Sequence, residues 1–342
     1  MLLMPALLAF LILLPSCYTT RELEIQVLHP PKKIFFNTPR DIVLLNRMPV
    51  VERWNDTLLF HDLKIPVKMY NDLSWKALYG FTDVASDSPW TDRILFDSLL
   101  LDSVGTENLP EPLDTEVWLD HLARNNATTC VDLATLLFHD SISRKEEYMM
   151  LEENEATENW ITILDVWLTV RSVWYLYDLE DTSLLDRAVL EDTIRLSSAG
   201  FSYRDALSRL PSLKMAIHDL SRMAGIHYAY RIFPVWDPVT RIYYAGGNPA
   251  LKKAARYAQE NKWLAAAEIW RRLAYTAGPK VAAKAAFNMA LASEINDKLD
   301  LAEEWLNRSL QLEDSKVTRN YLGIIRERKK EYRKMNLNTS GD

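Results

Sequence analysis

Near Tyr203 the spacing of apolar residues changes from strand-like to helix-like, and no single layer of regular structure satisfies both patterns. The chain must therefore be built in two styles, and its 342 residues leave room for two domains. Before the change, Asp41-Ile42-Val43-Leu44-Leu45-Asn46-Arg47 is a short, nearly continuous apolar run, as in a strand covered on both faces. Residues 69–80 and 91–104 carry apolar positions at helical spacing. Pro110 and Pro112 mark a break, and residues 115–124 predict another helix. Thr128 to His139 is a second strand. Trp160 to Tyr177, rich in β-branched and aromatic residues, and Ser183 to Ile194 flank the polar turn Asp178-Leu179-Glu180-Asp181-Thr182, which predicts a long β-hairpin. The charged stretch from Arg144 to Glu147 and on to Glu152-Glu153-Asn154-Glu155 lacks the alternating Asp/Asn and Gly of a calcium loop, so a solvated hairpin loop is expected there.

Beyond the change, Ala206, Leu210, Leu213, Ile217, Leu220 and Met223 recur at three- and four-residue intervals, an amphipathic helix over 203–230. The next stretch contains Pro234, Pro238 and Gly246-Gly247 and predicts a connection, not an element. Two copies of one pattern follow. Ala254, Tyr257 and Ala258 precede the polar turn Glu260-Asn261-Lys262, then Trp263, Ala266, Trp270 and Leu273 share one face. Met289, Ala290 and Ser293 precede Asn296-Asp297-Lys298, then Leu299, Ala302, Leu306 and Ser309 do the same. Trp263 and Leu299 are 36 residues apart. This pattern resembles the tetratricopeptide repeat, in which small residues at fixed places let paired helices pack closely. Ala266 and Ala302 hold the most characteristic small position; Ala254 and Ala290 replace the usual glycine. Residues 315–333 begin as a third first-helix and are expected to cap the array. The helix over 203–230 is expected to serve as its other neighbour, because one repeat cannot bury its own face.

At the start of the chain, residues 2–14 form an apolar run, too short for a spanning helix and suited to the core of a secretory leader. Leu14-Pro15-Ser16-Cys17 resembles a lipobox, which implies cleavage before Cys17 and a lipid on its sulfur. Pro15, and the lack of a basic residue before Arg21, depart from that pattern. If Cys17 carries a lipid, Cys130 is the remaining cysteine and has no intrachain partner. Its apolar neighbours predict a small buried side chain. No acidic residue follows Cys17 closely, so the expected address is the cell envelope, at the periplasmic face of an outer membrane.

The order strand, helices, strand and hairpin is similar to small envelope lipoprotein domains related to curli-secretion and penicillin-binding-protein-activator lipoproteins. With the opening Leu23-Glu24-Ile25-Gln26-Val27-Leu28-His29-Pro30, the "DIVLLNR" strand, the "YLYD" hairpin, "YAYRIFPVW", "AAEIWRRLA" and "AAFNMALASE", the chain resembles a family of uncharacterised Bacteroidetes envelope lipoproteins with C-terminal tetratricopeptide-like helices. That resemblance implies location and architecture, and no activity.

The expected fold class is α+β. The parts are a leader over 1–16, a mixed α/β domain over 17–200, a helix and connector over 201–246, tetratricopeptide-like helices over 247–333 and a disordered tail over 334–342. The chemistry-bearing motifs are absent. Nine glycines leave no phosphate-binding loop, and there is no H-E-x-x-H or C-x-x-C. His61-Asp62, Asp120-His121, His139-Asp140 and His218-Asp219 are adjacent in sequence, so the members of each pair point to different sides. No catalytic residue, metal or cofactor is expected. The net charge of −7 argues against nucleic acid. The expectation is a protein-binding adaptor or scaffold for another envelope protein, held at the membrane by its lipid, with Tyr257, Trp263 and Trp270 as candidate anchors. Core packing is the competing role for Trp263 and Trp270. An envelope glycan or peptidoglycan hydrolase, and an accessory subunit of an outer-membrane secretion assembly, are the alternative readings.

Overall fold

The computed structural model describes residues 20–36, 38–49, 57–60, 63–101, 109–149 and 159–337. Cys17, the leader, Glu152–Glu155 and residues 338–342 lie outside them. Two units emerge, one of residues 28–236 together with the described residues 335–337, and one joining the segment that ends at Val27 to residues 237–334. The first strand, β1 (Thr20–His29), belongs mostly to the latter.

The α/β unit begins with β2 (Arg40–Pro49), followed by the ribbon β3 (Thr57–Phe60) and β4 (Leu63–Pro66), helix α1 (Val67–Ala85), β5 (Thr91–Leu101) and α2 (Thr115–Asn125). Then come β6 (Thr129–Met149), β7 (Asn159–Asp178), β8 (Ser183–Gly200), α3 (Tyr203–Ser208) and α4 (Leu213–Ile232). Five strands form one sheet in the order β5-β2-β6-β7-β8. The β2 strand is parallel to both β5 and β6, whereas β6, β7 and β8 are antiparallel. Ile42, Val43, Leu44 and Leu45 are fully buried, which explains the unbroken apolar run in β2. One face of the core stacks Phe81 of α1, Trp174 of β7 and Tyr228 of α4, with Trp174 and Tyr228 centroids 4.8 Å apart. On the other, Trp118 of α2 stacks on Tyr177 at 5.3 Å.

The hairpin of β7 and β8 turns where expected, and Thr182 takes φ +46° in that turn. Three expectations need correction. Residues 91–101 form a strand, because Ile94, Phe96 and Ser98 pair beside the alternate β2 residues Ile42, Leu44 and Asn46; the apolar cluster in this stretch fits either period. Arg144–Glu147 lies within β6 and pairs with β7, so the strand runs ten residues past His139. The helix over 203–230 breaks at Pro211 into α3 and α4, each capped by a serine: Ser202 Oγ accepts from the Asp205 amide and Ser212 Oγ from the Met215 amide. Helix α4 belongs to the α/β unit, not to the unit of the repeats.

Helices α1 and α4 cross with their backbones almost touching. A Cβ on Gly225 would lie 1.7 Å from the Ala77 carbonyl oxygen, and one on Gly80 would lie 2.1 Å from that of Arg222. Only glycine permits this approach.

In the second unit, β9 (Val235–Tyr244) pairs with β1 in a two-stranded ribbon. This corrects the expected connector. Pro238 is tolerated because each strand of such a ribbon has a free edge. The ribbon is followed by α5 (Pro249–Gln259), α6 (Trp263–Thr276), α7 (Pro279–Ile295), α8 (Leu299–Leu312) and α9 (Lys316–Leu337). The 36-residue period is visible atom by atom. Asn261 and Asp297 both take positive φ, at 58° and 52°. The Lys262 amide donates to the Tyr257 carbonyl and the Lys298 amide to the Ser293 carbonyl, at 2.8 and 3.0 Å. Ala266 and Ala302 are both fully buried. The fold class is thus α+β: a mixed α/β region carrying a sheet, followed by a run of helices.

Replacing Gly225 with Ala is expected to destabilise the α/β unit by about 1–3 kcal/mol or more, as overpacking of a closed contact does. Urea titration followed by circular dichroism measures this, and an unchanged midpoint would refute the backbone contact.

Candidate functional site

The helices of the second unit carry an extended segment of the chain across them. That segment is β9. Asn288 of α7 is fully buried and reads the strand backbone on both sides: its amide nitrogen donates to the Tyr244 carbonyl at 2.8 Å, and its oxygen accepts from the Tyr244 amide at 2.7 Å. The Tyr244 ring meets Phe287 edge-on at 5.2 Å. Tyr243 packs its ring 6.2 Å from Trp270 and 6.5 Å from Trp263.

Three residues back along β9, Arg241 forms a two-point contact with Glu294 of α7, with Nε 3.0 Å from Oε2 and Nη2 2.9 Å from Oε1. Arg328 of α9 donates to the same carboxylate at 2.7 Å, and the Tyr321 hydroxyl donates to Oε2. Burial by itself would raise the Glu294 carboxyl, but Arg241, Tyr321 and Arg328 outweigh that cost and hold it below the usual carboxylate range. The same burial, with the adjacent carboxylate, pushes the Tyr321 phenol well up. Glu294 is therefore ionised, and the cluster is a buried ion network with every charge answered.

Of the residues expected to anchor a partner, Trp270 is fully buried and its ring is spent on the core. This corrects its assignment as an anchor: an alternating small-and-large face that packs helices looks the same in sequence as one that captures a ligand. Tyr257 and Trp263 are half-buried rims of the same core. On α6 the exposed large side chains are instead Leu264 (89% exposed) and Tyr275 (63%), three helical turns apart. The Arg308 guanidinium of α8 sits 4.1 Å over the Tyr275 ring, and Trp305 meets that ring edge-on at 5.9 Å. Sequence periodicity concealed this face because Leu264 sits next to Trp263 in an apolar run.

Two clefts accompany these surfaces. One, of about 200 Å³ in the repeat unit, is lined by Tyr244, Lys284, Ser309, Glu313 and Thr318, with the Lys284 ammonium 5.3 Å over the Tyr244 ring. The other, of about 530 Å³ in the α/β unit, is lined by Ile142, Val166, Tyr203, Leu207, Leu210 and Leu213. Its lining is mostly apolar; its polar side chains are the Tyr203 phenol and the Ser212 hydroxyl, the latter engaged as the cap of α4.

Histidine and carboxylate do meet in the α/β unit, though not between sequence neighbours. His121 Nδ1 lies 2.7 Å from Asp97 Oδ2 across α2 and β5, and Asn125 Nδ2 donates to the same oxygen at 2.9 Å. Cys130 shares that core and is fully buried; burial first, and then Asp132, pushes its thiol well up, the opposite of an activated nucleophile. Arg47 and Asp132 form a buried pair beside it, with Arg47 Nη1 donating to the Glu111 carbonyl at 2.8 Å. These contacts tie α2 to β5 and β2 to β6. Among the described residues no group of three or more metal-ligating side chains is found, and no helix is long and apolar enough to cross a membrane.

Residues 252–337 match a domain of unknown function, DUF6340, and residues 84–244 match another, DUF8603. Both are consistent with an uncharacterised family. No curated protein matches the chain. Among solved structures, a Helicobacter pylori protein described as a neuraminyllactose-binding hemagglutinin homolog is similar at 10% identity, over 56% of this chain and 87% of that one. Its TM-score of 0.20 is too low for the likeness to bear on fold or role.

Replacing Glu294 with Gln strands two buried guanidinium groups and is expected to cost about 3–5 kcal/mol. The lowered carboxyl also sets a pH signature. Its contribution is complete above the unfolded value of about 4.3 and is lost as pH falls through the lower folded value. Thermal melts of the parent should therefore lose stability below about pH 4.3 more steeply than those of Glu294→Gln. Parallel profiles would show that the carboxylate is not the group responsible.

Proposed function

We propose that this protein is a secreted lipoprotein of the cell envelope, lipid-modified at Cys17, and that it acts as an adaptor for another envelope protein, without catalysis and without a cofactor. The observation that carries the adaptor reading is the outward face of α6. There Leu264 and Tyr275 stand exposed, with Arg308 laid on the tyrosine ring. Aromatic and arginine side chains of this kind dominate the energetics of protein interfaces. The helix faces that hold β9 are already occupied, so the partner surface assigned here is the opposite, outer one. The lipobox-like Leu14-Pro15-Ser16-Cys17 supports the anchor, and the address proposed is the periplasmic face of an outer membrane. In sequence only two residues lie between Cys17 and Thr20, the first described residue of β1, so a lipid on Cys17 would tether the repeat unit closely to the bilayer surface. Several acyl chains on one cysteine hold a protein stably where one chain would not.

Cys17→Ser is expected to abolish incorporation of labelled palmitate and to release the protein from the membrane fraction; label retained by the variant would refute the site. Affinity purification from native membranes in mild detergent should recover a stoichiometric partner with the parent chain and lose it with Leu264→Glu combined with Tyr275→Glu. A parent chain that recovers no partner would sink the adaptor reading. A partner retained by the double variant would remove it from α6.

A further inference from the structure

The sheet of the α/β unit has two outer strands, and they are built differently. Strand β8 carries Asp186, Arg187, Glu191, Asp192 and Arg195 along its length, the kind of charged edge that resists strand addition. Strand β5 is hydrogen-bonded to β2 on one side and to no other strand among the described residues. The middle of β5 reads Arg93-Ile94-Leu95-Phe96-Asp97, apolar at its centre and oppositely charged at its two ends. Beside it, Phe96 is 39% and Tyr79 50% exposed, and with Trp75 they form an aromatic cluster with centroids 5.7–6.3 Å apart.

Such a strand is complementary to itself. When two copies align antiparallel about Leu95, each Arg93 faces the partner's Asp97 and each Ile94 faces the partner's Phe96. Directly opposed cross-strand pairs lie about 5 Å apart, within reach of an ion pair. Both charged groups have capacity left. Arg93 uses Nε on Asp41 and Nη2 on the Asn126 carbonyl, and Nη1 makes no hydrogen bond among the described residues. Asp97 Oδ2 accepts from Asn125 and contacts His121, while Oδ1 accepts only the Ser98 amide. We infer that a second copy of this chain docks on β5, edge to edge about Leu95, joining two five-stranded sheets into one. The symmetric register covers the exposed aromatic cluster and satisfies the open backbone groups of both strands together.

The test uses the full chain in a non-ionic detergent, with sedimentation velocity as the readout. The parent is expected to dimerise. Arg93→Asp and Asp97→Arg each bring like charges together twice and should weaken the dimer at least tenfold. An equimolar mixture of the two restores both opposite-charge pairs and should dimerise again. Folding of each variant is checked by its melting curve, and a disulfide scan gives a readout independent of charge. Leu95→Cys places two thiols at the symmetry axis and should crosslink under mild oxidation. Ser98→Cys, which faces the partner's Asp92, should not, with the unsubstituted chain as control for Cys17 and Cys130. A monomeric parent, equal crosslinking at both positions, or no crosslinking at Leu95→Cys would overturn the inference. So would a mixture of folded variants that stays monomeric.

Discussion

One carboxylate with no access to water decides how the repeat unit is assembled. Glu294 sits on α7, and the groups that neutralise it come from β9 and α9. A buried charge is tolerable only when its partners arrive in the right geometry, so a slipped β9 would leave an acid and two guanidinium groups stranded together. The network therefore selects one register of β9 against the helices, and the Asn288 clamp on Tyr244 repeats that selection three residues further on. Hydrophobic packing of Tyr243 against Trp263 and Trp270 contributes energy but tolerates sliding; the ions do not.

The α/β unit uses the same device at its periphery and a different one at its centre. Asp186, almost fully buried on β8, is held below the usual carboxylate range: burial opposes its charge, and Arg231 and Lys33 overcome that opposition. This ties α4 and the segment before β2 to the end of the sheet. At the centre, Gly80 and Gly225 bring two helix backbones together without any side chain between them. Close approach leaves the aromatic stack of Phe81, Trp174 and Tyr228 as the filler of that layer.

Much of this was legible in advance, wherever the information is local. The β7–β8 hairpin announces itself through β-branched residues around a polar turn, and the two repeats through small residues at a constant interval. Even the left-handed residues Asn261 and Asp297 fall on that interval. What escaped is what depends on remote partners. Strand β5 clusters its apolar residues in a way that suits a helix equally well, and only pairing with β2 decides the matter. Strand β9 is masked by Pro234 and Pro238, residues that a paired edge accepts and a central strand does not. Nothing near Glu294 in sequence marks it as buried, because Arg241 and Arg328 lie 53 and 34 residues away. Trp270 illustrates the converse: its spacing fits a recognition face and a core equally, and its complete burial settles which.

The ribbon of β1 and β9 interrupts the order in which the chain can mature. Its two strands are separated by the whole α/β unit, so the repeat unit draws on chain segments from before and after that unit. A chain that emerges N-terminus first delivers β1 more than 200 residues before the strand that pairs with it. In the interval β1 presents an unpaired edge, and any other strand it meets is a competitor for that edge. The inserted sheet can fold meanwhile, and a folded insert shortens the effective loop whose closure β1 and β9 must achieve. Pairing of β1 with β9 therefore has to follow synthesis of the entire α/β unit.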